Sequence, residues 1–316
     1  MQIGRHMIGL GHPVYVVAEV SSNHCQDFTT ARMLIEAAAG AGASAIKMQT
    51  FTPDEIAINL PILTGYDAAH DAWLARLGVT TLHGLYSQGG LPRPWHKALQ
   101  HIAEDVGLHF LSTPFSVDAA RFLVEEIGVP ALKIASGDLT FTPLLEYAAS
   151  TGLPLLVSTG MATMNEVNQA VFGPLCSVWE EKRLCVLHCT SSYPLDPRQA
   201  NLQTLLTLHD MLRCEIGYSD HSTDAEILPA LAVAFGSVVY EKHLRLDDAH
   251  GSPDAGHSLT VAQFARMVKV IRAVPQWLGD GVKQPQESEA HERLWTRRSM
   301  EDWLRPTTEA RVGRWA

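Results

Sequence analysis

The sequence predicts an α/β protein built as a single (β/α)8 TIM barrel, and three observations carry that reading. Short apolar runs rich in β-branched residues alternate with amphipathic helical stretches through nearly all of the 316 residues. There are eight such runs, and their starts recur every 22 to 31 residues except across one long gap. No GxGxxG follows the first run, which weighs against a doubly wound open sheet, the competing arrangement.

The eight strand candidates are YVVAEV (15–20), AIKMQTF (45–51), HFLSTPF (109–115), ALKIAS (131–136), PLLVSTG (154–160), LCVLHCTS (184–191), EIGYSDH (215–221) and VVYEKHL (238–244). Helix candidates between them include DFTTARMLIEAAAGAGA, SVDAARFLVEEIG, TPLLEYAASTG and DAEILPALAVAFG. Several begin at Asp, Ser or Thr and several end in glycine, which are helix cap and stop signals. LTVAQFARMVKVIRAVPQWLG would close a barrel spanning residues 1–280. The long gap at 52–93 is expected to be a lid or a partly ordered loop at the barrel mouth. Residues 281–316 read as a polar Arg- and Trp-rich tail, either docked on the surface or packed on a partner subunit.

Composition narrows the class. A 46% hydrophobic and 18% charged chain is globular, not disordered. The net charge of −10 leaves no basic surplus for nucleic acid. No apolar run is long enough for a membrane span, and the N-terminus lacks a signal-peptide plan. The five cysteines are odd in number with no CxxC pair, so reduced, mostly buried thiols in a cytoplasmic protein are expected.

In such a barrel the chemistry belongs at the carboxyl ends of the strands. Polar residues stand there in every run: Glu19 in the first, Lys47 and Gln49 in the second, Thr113 in the third, Lys133 and Ser136 in the fourth. Ser158-Thr159-Gly160 ends the fifth and HCTSSYP (188–194) the sixth. A lone lysine in an apolar strand has a bland reading, but two in strands buried on both faces point to convergence on an anion. With Ser136, Ser158 and Ser219 they would form a phosphate and carboxylate cradle. The seventh and eighth runs end in Ser219-Asp220-His221 and Glu241-Lys242-His243. Adjacent parallel strands about 4.8 Å apart bring His221 and His243 within reach of one ion. Two imidazoles suit Mn²⁺, Zn²⁺, Fe²⁺ or Co²⁺ better than Ca²⁺ or Mg²⁺.

The segments AEVSSNHCQDFTTARMLIEAAAGAGASAIKMQTF, FLSTPFSVDAARFLVEEIGVPALKIASGDLTFTPLLEYAASTGLPLLVSTGMATMNEV, LHCTSSYP, GYSDHS and EKHL…GSPDAGHSL together resemble the N-acetylneuraminate (sialic acid) synthase family, from about Val14 to Ser299. The resemblance implies condensation of phosphoenolpyruvate with an open-chain aldose, an N-acetylmannosamine-like amino sugar, giving a 2-keto-3-deoxy sugar acid and phosphate. It also implies a divalent metal, commonly Mn²⁺. Carried over by position, phosphoenolpyruvate contacts fall on Lys47, Thr113, Lys133, Ser136, Ser158, Ser191 and Ser219. Metal ligands fall on His221 and His243, and sugar contacts on Glu19, Gln49, Tyr193 and Asp254. Glu19 or Asp138 would handle the proton of the attacking water.

Three departures qualify the resemblance. Asp138 stands where the family usually has Glu. The family's GPDH reads GSPDAGHS, so Asp254 is kept, Ala255 replaces the next His, and a His reappears at 257. The family's C-terminal antifreeze-like domain is not expected here, and its sugar-binding arginine would have to come from Arg305, Arg311 or Arg314. The pyruvyl half of the site therefore reads as intact and the sugar half as rebuilt. A metal-dependent pyruvate aldolase and a non-catalytic barrel serving as a binding partner are the alternatives. A homodimer is the expected assembly.

Overall fold

A computed structural model describes the chain apart from residues 63, 66, 67, 248–250 and 313–316. Eight parallel strands fall where the sequence places them: β1 (Tyr15–Glu19), β2 (Ala45–Thr50), β3 (His109–Pro114), β4 (Leu132–Ile134), β5 (Leu155–Ser158), β6 (Leu184–Cys189), β7 (Glu215–Asp220) and β8 (Val239–Arg245). Each except β3 pairs in parallel with the next, and β8 pairs with β1. Between β3 and β4 the strands lie side by side without a ladder, so the barrel is nearly closed.

Alternation of side chains along each strand divides the core in two. Val16, Ala18, Ile46, Met48, Leu132, Ile134 and Val186 face the helices. Val17, Ala45, Leu111, Ala131, Leu156, Leu187 and Val239 fill the barrel interior. Burial on both faces is why the strands read as continuous apolar runs. A hairpin of Gln2–Ile3 with His6–Met7, which the sequence reading did not anticipate, precedes β1. Ile3 and Ile8 pack with Tyr15 and Val17 in the inner cluster, covering the amino-terminal end of the barrel.

The helices following the strands are α1 (Phe28–Gly40), α2 (His96–Asp105), α3 (Val117–Arg121), α4 (Thr142–Ser150), α5 (Met164–Phe172), α6 (Thr204–Leu212), α7 (Ile227–Ala234) and α8 (Val261–Leu278). Several starts follow the cap signals. Asp27 accepts from the Thr30 N–H at 2.6 Å and Ser116 from the Ala119 N–H at 2.9 Å. Asp224 Oδ1 accepts from three successive N–H groups at the head of α7.

One expectation changes. SVDAARFLVEEIG is not one α-helix: α3 widens after Arg121 into a π-helical turn, Phe122–Ile127, stopped by Gly128 at φ 77°. The segment 52–93, expected as a lid or a partly ordered loop, contains helices Pro53–Ile56, Ala68–Leu77 and Leu82–Tyr86. Local caps explain them. The Thr52 N–H donates to Glu55 at 2.6 Å, and Thr81 Oγ1 accepts from the Gly84 N–H at 2.9 Å. Arg93 ties the segment down, donating to Glu55 at 3.0 Å and Asp118 at 2.8 Å.

The chain resolves into two compact units, Met1–Gln276 and Trp277–Ala316. The second holds helices Ala290–Thr296 and Thr308–Val312, with Arg311 donating to Asp302 Oδ1 at 2.9 Å. Arg314 lies outside the described residues. All five cysteines are free; Cys185 and Cys189 are buried, Cys176 and Cys214 half-buried, and Cys25 exposed. Among the described residues no helix is long and apolar enough to cross a membrane.

Candidate active site

Strand parity decides which polar residues can meet. Glu19, Lys47, Gln49, Thr113, Lys133, Ser158, Cys189, Ser219, Glu241 and His243 share parity with the residues of the inner cluster, so they enter the barrel near its carboxyl end. Asp220 and Lys242 have the opposite parity. Lys242 Nζ donates to Asp220 Oδ2 at 2.7 Å, and the Tyr240 hydroxyl donates to the same oxygen at 2.7 Å. Both members of that ion pair are fully buried, and it belongs to the layer between strands and helices.

The two lysines singled out by the sequence converge, and the group between them is a carboxylate. Glu241 Oε1 lies 3.6 Å from Lys47 Nζ and 3.9 Å from Lys133 Nζ, and the Ser219 hydroxyl donates to it at 3.1 Å. Lys47 also donates to Thr113 Oγ1 at 3.0 Å and pairs with Glu19. Lys133 donates to Ser158 Oγ at 2.6 Å and to the Ile134 carbonyl at 2.9 Å. Glu19 in turn accepts from the Gln49 amide at 3.3 Å.

Two ammonium groups and two carboxyls thus share one buried volume. Burial pushes the Glu19 carboxyl up to about 7 against the pull of Lys47, and the charge of Glu241 adds to the rise. Burial also opposes ionisation of Glu241, yet Lys133 and Lys47 outweigh it and hold its carboxyl below the ordinary range. Lys47 is raised because Glu19 and Glu241 overcome its burial. Lys133 is lowered because burial prevails over Glu241. These directions agree on one state: Glu241 carries the negative charge, and Glu19 is the carboxyl that exchanges a proton near neutrality.

Around this centre runs a polar rim. Ser136 Oγ accepts from the Gly160 N–H at 2.9 Å and donates to Cys189 Sγ at 3.6 Å. Ser191 Oγ is buried without a hydrogen-bond partner. A Cβ at Gly160 would lie 2.2 Å from Ser191 Oγ, so only glycine lets these hydroxyls close in. Asp138 is half-buried beyond Ser136, its Oδ2 unpartnered, and burial pushes its carboxyl up to about 6 despite Lys133.

Beside the cradle lies an imidazole cluster. The rings of His221 and His243 are 5.6 Å apart between centroids. The His257 ring approaches His243 at 4.5 Å and His221 at 6.4 Å, and Tyr193 stands 4.2 Å from His221. His221 Nδ1 lies 3.0 Å from the Thr190 carbonyl. Donor atoms of His243, Asp254 and His257 all fall within 4.8 Å of one another. Asp254 is held from β1's following turn, its Oδ2 accepting from the Ser22 N–H at 2.9 Å. The donors fit a borderline divalent ion: buried imidazole nitrogens with a carboxylate alongside.

Sequence reasoning missed Glu241, Gly160, Cys189 and the place of His257. Parity could have found Glu241, which is two residues before His243 on one strand and so shares its face. Nothing local announces His257, because it comes from the loop after β8.

An α/β barrel with a buried two-lysine cradle and clustered histidines at the carboxyl ends of its strands is built for chemistry on a small anion. Comparison places it further: residues 34–283 match the model of the NeuB family, and the chain belongs to that family. It is 34% identical over 288 residues to N,N'-diacetyllegionaminic acid synthase of Legionella pneumophila, covering 90% of this chain and 79% of that protein. It is 33% identical over 304 residues to pseudaminic acid synthase of Campylobacter jejuni, covering 94% and 83%. The crystal structure of N-acetylneuraminic acid synthetase from Leptospira borgpetersenii superposes with a TM-score of 0.79 at 32% identity, covering 92% of this chain and 94% of that one. Like these relatives, the chain is an enzyme of the acid-synthase kind.

Proposed function

We propose that this enzyme condenses phosphoenolpyruvate with the open-chain form of an amino sugar, an N-acetylmannosamine-like aldose, giving a nonulosonic-type 2-keto-3-deoxy acid and phosphate. The observation that carries the reading is the convergence of Lys47 and Lys133 on one buried point, 3.6 and 3.9 Å from the same oxygen, among serine and threonine hydroxyls. Pyruvate has no phosphate to engage so many donors, which disfavours the aldolase alternative. An intact cradle in a chain of this family disfavours a non-catalytic barrel.

Lys47, Thr113, Lys133, Ser158 and Ser219 would hold the carboxylate and phosphate, competing with Glu241 for the ammonium groups. Ser136, Ser191 and the Gly160 approach would line the rim of the same anion. His221 and His243 would hold a divalent ion, Mn²⁺ foremost, whose chemistry when bound is to polarise the aldehyde oxygen of the sugar. C3 of phosphoenolpyruvate forms the new bond to the aldehyde carbon, leaving positive charge at C2. Glu19, poised near 7, takes a proton from the water that adds at C2. The tetrahedral intermediate then loses phosphate by breaking its C–O bond. The aldehyde oxygen gains one proton as the water gives up others, so no outside acid is consumed. Gln49, Tyr193 and Asp254 would contact the sugar, and Asp138 is the alternative carboxyl for the water proton.

Phosphate release from phosphoenolpyruvate, measured with Mn²⁺ against a panel of N-acetylated and diacetamido aldoses, tests the reading. Release with one sugar, abolished in His243→Ala, supports it. With the bridging enol oxygen labelled, C–O cleavage requires the released phosphate to carry the label; phosphate carrying an oxygen from solvent water instead would contradict C–O cleavage. No release with any aldose and no phosphoenolpyruvate binding would overturn it.

A further inference from the structure

We propose that His257 and Asp254 complete the coordination set of the ion that His221 and His243 begin, making a site of three imidazoles and one carboxylate that holds a first-row transition metal before substrate arrives. This deepens the synthase reading and rests on it only for the use of the metal.

The argument starts from unfilled donors. His243 Nδ1 and His257 Nε2 are both buried and have no hydrogen-bond partner. The two residues are 7% and 4% exposed, so water does not serve them freely. A buried nitrogen left without a partner costs free energy, and two facing one volume mark a place where something binds. Asp254 supplies the complement. The Ser22 N–H and hydroxyl both donate to its Oδ2, which leaves Oδ1 directed at His257 Nε2, 3.6 Å away.

His221 is prepared from the other side. The Thr190 carbonyl at 3.0 Å from Nδ1 fixes the proton there, leaving the Nε2 lone pair free for a metal. Metal bonds of about 2.0–2.2 Å place ligand atoms roughly 3–4 Å apart. The 4.8 Å span of His243, Asp254 and His257 is within a small adjustment of that.

The sequence around this point is GSPDAGHS, in which the histidine stands three residues after Asp254 instead of next to it. Asp254 lies in the short 3₁₀ turn Pro253–Gly256 and His257 follows it directly, and Ser258 Oγ donates to the Asp254 carbonyl at 2.7 Å, so carboxylate and imidazole are presented by one braced segment. Three nitrogens and one oxygen favour Zn²⁺, Co²⁺, Fe²⁺ or Mn²⁺ over Mg²⁺. Four protein ligands also leave positions open on a six-coordinate ion for water and an aldehyde oxygen.

The test uses Co²⁺ alone, without substrate, because its visible absorption reports the number of nitrogen ligands. Metal-free enzyme is titrated by calorimetry and spectrophotometry as wild type, His257→Ala and His257→Gln, with melting curves confirming that the variants fold. The expected result is one equivalent bound by wild type, at least tenfold weaker binding in both variants, and a changed Co²⁺ spectrum. Unaltered affinity and spectrum in a folded variant would overturn the proposal. Phosphate release, followed in parallel at saturating Mn²⁺, separates the two readings. Release with unaltered Co²⁺ binding in His257→Ala sinks the site and keeps the synthase. His257-dependent Co²⁺ binding with no release from any aldose keeps the site and sinks the synthase.

Discussion

Glu241 Oε1 lies 3.9 Å from Lys133 Nζ, and both side chains are almost wholly buried. With Lys47 on its other flank, Glu241 acts as an internal counter-ion for a cradle that would otherwise hold two unpaired ammonium groups. An incoming dianion changes what the lysines need. The Glu241→Gln enzyme should therefore be less stable when empty, by about 3 kcal/mol, since stripping a partner from buried charge is costly. Its melting temperature should fall by roughly 5 °C or more and rise further than wild type's on adding phosphoenolpyruvate. Equal melting shifts in the two proteins would mean that Glu241 does not balance the lysines.

Proton traffic gives a second prediction. The folded enzyme keeps the Glu19 proton up to about 7, whereas the unfolded chain releases it near the ordinary value of 4.5. A raised carboxyl makes the native state the one binding more protons between those values. Its stabilising contribution is thus complete below about 4.5 and lost as pH climbs through about 7. The catalytic sign is opposite, because a base works only when ionised. We expect kcat/KM to rise with pH through about 7 and expect Glu19→Gln to remove that limb with a loss of about 10²–10⁴-fold. Asp138→Asn should keep the limb. Survival of the limb in Glu19→Gln with its disappearance in Asp138→Asn would hand the role to Asp138.

Legibility in the sequence followed the same physics. Lys47, Lys133, His221 and His243 stood out because a charge or imidazole inside a run buried on both faces needs a reason. Lys47, Lys133 and His243 have inward parity on their strands, and His221 follows directly after β7. Lys242 shares a run with His243, yet one step along a strand turns it to the opposite face and into a structural pair with Asp220. Glu241 was visible as a charge beside a histidine. Its meeting with Lys47 and Lys133 joins β8, β2 and β4, and no local pattern encodes contact across a barrel. His257 arrives from a loop, where neither period constrains direction. The helices within 52–93 were hidden because their caps are short and their apolar faces weak.

The two kinds of buried lysine can be told apart by experiment. Lys242→Met strands Asp220 without its ammonium partner and should cost about 3–5 kcal/mol of stability. Turnover measured well below its melting point should stay close to wild type. Lys133→Met removes a proposed anion ligand while Glu241 keeps Lys47 and the Ser219 hydroxyl. It should raise the KM for phosphoenolpyruvate about 10- to 100-fold, as loss of a charge-assisted hydrogen bond does. Steady-state kinetics and thermal melts on both proteins read the contrast. A reversed pattern would exchange their assignments.

Gly160 offers the sharpest steric test of where the anion sits. Its φ is not in the left-handed region, so the demand for glycine comes from space rather than from backbone strain. An added Cβ would meet Ser191 Oγ at 2.2 Å, Ser136 Oγ at 2.9 Å and Cys189 Sγ at 3.1 Å. Those neighbours must withdraw, and the rim of hydroxyls opens. Gly160→Ala should weaken phosphoenolpyruvate at least tenfold, roughly 1.4 kcal/mol, through misplaced donors. Pairing it with Ser191→Gly removes the tightest clash and should recover part of the affinity. Isothermal titration with phosphoenolpyruvate alone measures both. Wild-type binding by Gly160→Ala would show that the anion does not touch this rim and would confine it to the lysines.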